Sequence, residues 1–110
     1  MLPRQNRLRH QEFKGITYTS RREHSTHLIL AYSETAHDFK AVVIVGKKVF
    51  KKAVDRNKVR RGLYSVLAQN KPALQQGVYI VRVKKNAQYT NGTQLQQELQ
   101  KLLNRLIITS

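Results

Sequence analysis

Apolar positions along this chain change their period several times, and each change marks an element. Residues 26–33 read THLILAYS: Leu28, Leu30 and Tyr32 fall on one side of an extended chain and Ile29 on the other, which predicts a strand. Residues 39–45, FKAVVIV, predict a second apolar strand ending at Gly46. So short a connection between the two predicts an antiparallel hairpin. The period then lengthens. Val59, Leu63, Val66 and Leu67 stand at i, i+4, i+7 and i+8, predicting a helix over residues 55–69 that ends near Lys71-Pro72. GVYIVRVK at 77–84 returns to strand, with Val78, Ile80 and Arg82 facing one way and Tyr79, Val81 and Val83 the other. Leu95, Leu99, Leu102, Leu103 and Leu106 then stripe a last helix through about Ile107, with Thr93 as its expected cap and Gln96 at the capping-box position.

Weaker signals precede and join these elements. Residues 1–8 read as an extended arm. Residues 9–14 fit one or two helical turns, with Leu8 and Phe13 facing inward and Gly15 as the stop. Residues 16–20 alternate as a short strand would, 21–25 read as a polar connection, and 85–92 as a loop. No internal repeat, low-complexity tract or second domain interrupts the order. A single domain over residues 1–110 is expected, with helices packed on an antiparallel or mixed sheet.

Charge adds a partner to this picture. The 110 residues carry 21 Lys or Arg against 6 Asp or Glu, a net charge of +15. Self-repulsion of that size destabilises a compact state unless a polyanion offsets it. Nucleic acid is the simplest such partner, ahead of an anionic membrane surface or a merely basic soluble protein. With no cysteine in the chain, disulfides and thiolate metal sites are excluded, in keeping with a reducing cytoplasm. The longest apolar run, residues 41–45, is far too short to cross a membrane. The N-terminal segment lacks the continuous apolar stretch of a signal peptide.

Most of the informative charge lies in GKKVFKKAVDRNKVRRG, residues 46–62, with eight Lys or Arg and one acid, Asp55. On the helix predicted there, Val59, Leu63, Val66 and Leu67 span an arc of about 100°. Asn57, Lys58, Arg60 and Arg61 lie beside and opposite that arc, while Arg56 projects near its edge. Lys47, Lys48, Lys51 and Lys52 come just before, at the same end. Such a helix buries one side and holds cations in a fixed array on the other. Arg presents a planar fork to phosphate oxygens, Lys a mobile point charge, and the helix N-terminus adds backbone donors. A solvated helix face is the alternative, but such faces usually mix both signs. No short helix and turn precede this one, as a helix-turn-helix would require. Tyr18, Tyr32 and Tyr79 are candidates for stacking on unpaired bases, and equally for the core. The acids are scattered and the histidines spread, so neither a carboxylate metal pair nor a nucleophile with its base is expected. His24 and His27 could share a site in principle.

At these residues the sequence resembles a known family. VGKKVFKKAVDRNKVRRGL is similar to the signature region of the bacterial ribonuclease P protein subunit: paired lysines after a strand (Lys47-Lys48), then Ala53-Val54 and Arg56-Asn57-Lys58-Val59-Arg60-Arg61 opening a helix. Leu8, Glu12 and Phe13 resemble the family's N-terminal pattern, and YIVRV and the leucine-striped helix follow in order. The resemblance implies an α/β (α+β) two-layer sandwich of order αβββαβα with a left-handed crossover, where geometry alone favours a right-handed one. It also implies a subunit that binds the ribonuclease P catalytic RNA and the 5′ leader of precursor tRNA, promoting Mg²⁺-dependent removal of the leader by the RNA. Its catalytic-RNA-binding residues would be Lys47, Lys48, Lys51, Arg56, Asn57, Lys58, Arg60 and Arg61, and its leader-binding residues Phe13 and Tyr18. No protein catalytic residue, protein metal site, organic cofactor, membrane or obligate protein partner is expected, and the location would be cytoplasmic. Two departures stand out: Tyr64 where the family often has another Arg, and Thr17 where it usually has a second aromatic. A ribosomal or ribosome-assembly RNA-binding protein is the alternative on size and charge, and a self-contained nuclease is disfavoured by the scattered acids.

Overall fold

The computed structural model describes residues 21–33, 39–74 and 77–109. Among these residues four strands form one mixed sheet: β1 (Arg21–His24), β2 (Leu28–Ser33), β3 (Phe39–Ile44) and β4 (Gly77–Val83), in the spatial order β1-β2-β4-β3. Helix α1 (Ala53–Asn70) joins β3 to β4, and α2 (Gly92–Thr109) follows β4. The expected helix at 9–14, the strand at 16–20 and the arm lie outside the described residues.

The predicted β2–β3 hairpin is not formed. β4 lies between the two, antiparallel to β2 with Leu28 opposite Val83, and parallel to β3 with Phe39 opposite Gly77. The physical reason is in β4 itself. Six of its seven residues are buried, all but Arg82, so both its faces and both its edges need neighbours. β3 alternates buried and half-buried positions, the pattern of an edge strand. β2 and β3 do run in opposite directions, but one strand apart. That separation is about 10 Å across the sheet, and five residues reach about 17 Å, so connection length could not tell the two arrangements apart. Nor is the segment around residues 21–25 merely a connection, since Arg21–His24 pairs with β2 as the other edge. Charged side chains are compatible with an edge, where one side of the strand meets water.

One face of the sheet carries Leu28, Leu30, Tyr32, Ala41, Val43, Tyr79 and Val81, packed beneath the predicted stripes of both helices. Val59, Leu63, Val66 and Leu67 of α1 are buried, as are Leu95, Leu99, Leu102, Leu103 and Leu106 of α2. The opposite face forms a smaller cluster of Ala31, Val78 and Ile80. Gly77 opens β4 at φ 152°, and a Cβ there would come within 2.6 Å of both the Ser33 carbonyl oxygen and a Tyr32 ring carbon. No other residue type fits that position without displacing the sheet.

Two boundaries differ from expectation. α1 extends over Ala53–Asn70, longer at both ends. α2 begins at Gly92, and its cap is Asn91, whose Oδ1 accepts from the Gln94 backbone N–H at 2.8 Å. Asn caps as well as Thr does, and the 3-10 turn Lys85–Tyr89 delivers Asn91 to the helix start. Thr93 and Gln96 are thereby released from the expected capping box.

Candidate nucleic-acid interface

The basic segment is built from a loop and a helix that fasten each other. In residues 46–52 the Gly46 carbonyl accepts from Val49 N–H at 3.1 Å, closing a turn. Val49 is buried and Phe50 packs half-buried on the core, while Lys47, Lys48, Lys51 and Lys52 are exposed. KKVFKK thus alternates its chemistry in pairs: two apolar residues anchor the loop and four lysines project from it. The fastening comes from Arg56. Its Nη1 donates to the carbonyl oxygens of Phe50, at 2.8 Å, and Lys51, at 2.9 Å. This guanidinium positions the lysine loop against the first turn of α1.

Along α1, Asn57, Lys58 and Arg61 are exposed and Arg60 is partly so. Arg60 Nη1 donates to Asn57 Oδ1 at 2.7 Å, which directs the guanidinium along the helix surface. Lys52, at the cap position, makes no side-chain hydrogen bond to the helix, so the first-turn N–H groups stay open to an anion. Asp55 is the one acid in that turn. The eight predicted RNA-binding residues therefore occupy one end of α1 and the loop before it. Seven point outward as cations or an amide, and Arg56 is shared with the loop backbone. Phe13 and Tyr18 lie outside the described residues.

Stacking is not available from Tyr32 or Tyr79. Both are buried, with ring centroids 4.8 Å apart, and Phe39 lies 5.1 Å from Tyr79. Burial, reinforced by Tyr32, holds the Tyr79 hydroxyl far above its ordinary pKa, so it stays neutral. Tyr64 also has a structural duty. Its hydroxyl accepts from Val43 N–H at 3.2 Å, satisfying a donor on the edge strand β3.

A model of the Ribonuclease P family matches residues 2–107. The chain belongs to the ribonuclease P protein family. It is 30% identical over 109 residues to the ribonuclease P protein component of Microcystis aeruginosa, covering 93% of this chain and 91% of that one. With the ribonuclease P protein component of a Pseudanabaena species it shares 39% identity over 85 residues, 74% of this chain and 72% of the relative. The fold is similar to that of the RNase P protein of Staphylococcus aureus, with a TM-score of 0.78 at 20% identity over 92% of this chain and 94% of the other. It is also similar to the Thermotoga maritima RNase P protein, with a TM-score of 0.65 at 20% identity over 77% and 82% of the two chains.

One polar site in this ribonuclease P protein escaped the sequence reading. Glu98, only 7% exposed, accepts from Ser25 Oγ at 2.6 Å, His27 N–H at 2.8 Å, His27 Nδ1 at 2.5 Å and Gln94 Nε2 at 3.3 Å. An ionised carboxylate only accepts, so His27 carries its proton on Nδ1. Lys84 Nζ, just past the end of β4, donates to the Ser25 carbonyl at 2.6 Å and pins the same turn. Burial alone would raise the Glu98 pKa, but hydrogen bonds from the His27 side chain, Ser25, the His27 backbone and Gln94 outweigh it and lower it to about 2. The sequence carried a signal for this. Glu98 stands three residues after Leu95 and four before Leu102, inside the leucine stripe, where an unpartnered acid would be costly. His24 and His27 form no joint site, since His27 is engaged by Glu98. Among the described residues no group of three or more His, Asp or Glu is placed to hold a metal ion, and no helix is long and apolar enough to cross a membrane.

Proposed function

We propose that this chain is the RNA-binding protein subunit of ribonuclease P, acting in the cytoplasm on precursor tRNA. Lys47, Lys48, Lys51, Asn57, Lys58, Arg60 and Arg61 grip phosphates of the catalytic RNA, and Arg56 presents the lysine loop to it. Phe13 and Tyr18 meet the 5′ leader. The observation that carries the reading is a cationic face of almost one sign, anchored to the core through Val49, Phe50 and Arg56 rather than left on a tail. Neutralising phosphates there removes repulsion between catalytic RNA and substrate, which raises affinity for the precursor. The β3–α1–β4 crossover is left-handed in this reading, as the family resemblance implies.

The Mg²⁺ that family membership implies finds no fitting protein ligands among the described residues. Glu98 has its carboxylate filled by four donors, and Asp55 stands among lysines. The ion belongs to the RNA in this proposal.

Reconstitution tests it. Protein with cognate ribonuclease P RNA should cleave precursor tRNA at lower Mg²⁺ than the RNA alone and bind leader-containing substrate more tightly, while RNA-free protein should not cleave. Phe13→Ala should weaken precursor binding more than mature tRNA binding, by about 1–3 kcal/mol for a lost stacked base. Cleavage by RNA-free protein, or no effect of the protein on the RNA reaction, would overturn the proposal.

A further inference from the structure

We infer that the groove between the first turns of α1 and α2 receives one unpaired nucleotide of the catalytic RNA, with its base inside and its phosphate at Lys58. This inference rests on the RNA-binding reading above. The groove has a volume of about 570 Å³ and is walled by Phe50, Asp55, Lys58, Gln88, Asn91 and Gln96. That is within the range of small-ligand sites, about 300–1,000 Å³.

The chemistry of the walls selects a base rather than a phosphate. Three side-chain amides supply donors and acceptors, the combination that base edges require. Asn91 spends its Oδ1 on the helix cap and keeps its NH₂ as a donor. Among the described residues, the side-chain amides of Gln88 and Gln96 make no hydrogen bond. Gln96 is nonetheless held in place. It lies over Gly62 of α1, where a Cβ would collide with its amide nitrogen and approach its Cδ to 3.2 Å. The half-buried Phe50 adds an aromatic surface, and stacking on such a side chain tolerates any base. Asp55 repels phosphate from the interior and accepts from exocyclic amines. Lys58, on the same helix, continues into the cationic face of Asn57, Arg60 and Arg61. A strand following that face can therefore keep its backbone at Lys58 and turn a base inward.

The test uses the full chain and purified cognate RNAs. Gln88→Ala with Gln96→Ala should weaken catalytic-RNA binding roughly 5- to 100-fold with the slope of affinity against salt unchanged, because no phosphate contact is removed. The unaltered protein and an Arg60→Ala, Arg61→Ala variant run alongside. Since the chain has no cysteine, Gln88→Cys bearing a photoactivated label should cross-link to one unpaired position in the catalytic RNA. Unchanged affinity in the double amide variant, a shallower salt slope, or cross-links to precursor tRNA, to a second copy of the protein or to scattered positions would overturn the inference while leaving the RNA-binding reading intact. No binding by the unaltered protein would overturn both. Should the double variant fail to fold in a melting control, the cross-link decides.

Discussion

Replacing Glu98 by Gln keeps the shape of the side chain and removes its charge, so it isolates what the buried carboxylate contributes. In the folded protein four hydrogen bonds converge on that carboxylate from Ser25, His27 and Gln94. They lower its pKa from the ordinary 4.5 to about 2 against the opposing effect of burial. At about 1.4 kcal/mol per pH unit, a difference of that size stabilises the folded state by about 3.5 kcal/mol. Ser25 and His27 are only partly buried, and solvent screening on that side lowers the expectation to about 2 kcal/mol. The sign follows from the lowered value. The folded state binds this proton more weakly than the unfolded chain, so the stabilisation is complete above pH 4.5 and is lost as pH falls toward 2. Urea unfolding of both proteins at intervals from pH 7 to pH 2 measures it. The variant should be about 2 kcal/mol less stable at pH 7, and the two curves should converge on the acid side. A gap under about 0.5 kcal/mol at pH 7, within the range of ordinary surface substitutions, would refute the reasoning. So would a gap that stays constant down to pH 2.

Three further outcomes test other parts of the molecule. Arg60→Ala with Arg61→Ala should leave the fold intact, since Ala favours helix and Val59 and Leu63 remain; in filter binding at fixed Mg²⁺, affinity for catalytic RNA should fall and the salt slope should become shallower by about 0.7–0.9 per lost phosphate contact. Tyr64→Phe should cost about 1 kcal/mol in a denaturant titration, because the Val43 N–H on β3 loses its acceptor, while RNA affinity should stay unchanged. Gly77→Ala should destabilise by more than about 1 kcal/mol in thermal melts, since the new methyl meets the Ser33 carbonyl and the Tyr32 ring at a φ that L-residues rarely adopt.

Much of the protein is legible along the chain because the relevant physics is local. A stripe at i, i+4, i+7 and i+8 can be buried only if the segment is helical, so Val59, Leu63, Val66 and Leu67 declare both the helix and its inner side. The five leucines of the last helix do the same, and alternation in GVYIVRV assigns its residues to the two faces of the sheet. A run of eight cations with a single acid, joined to such a stripe, states the charge of the partner. The family signature is legible for the same reason, being a contiguous run of residues. Sheet order is different, because it depends on which strands compete for β4. A five-residue connection reaches a neighbour or the strand beyond equally well, and only burial of both faces of β4 settles the choice. The cap of α2 turns on how the 3-10 turn delivers Asn91 rather than Thr93 to the helix start. The Glu98 site joins residues 71 and 73 positions apart, and the amide-lined groove joins the loop before α1 to the start of α2. Contacts at such separations leave no periodic trace in the chain, because the packed tertiary structure alone brings the groups within hydrogen-bonding range.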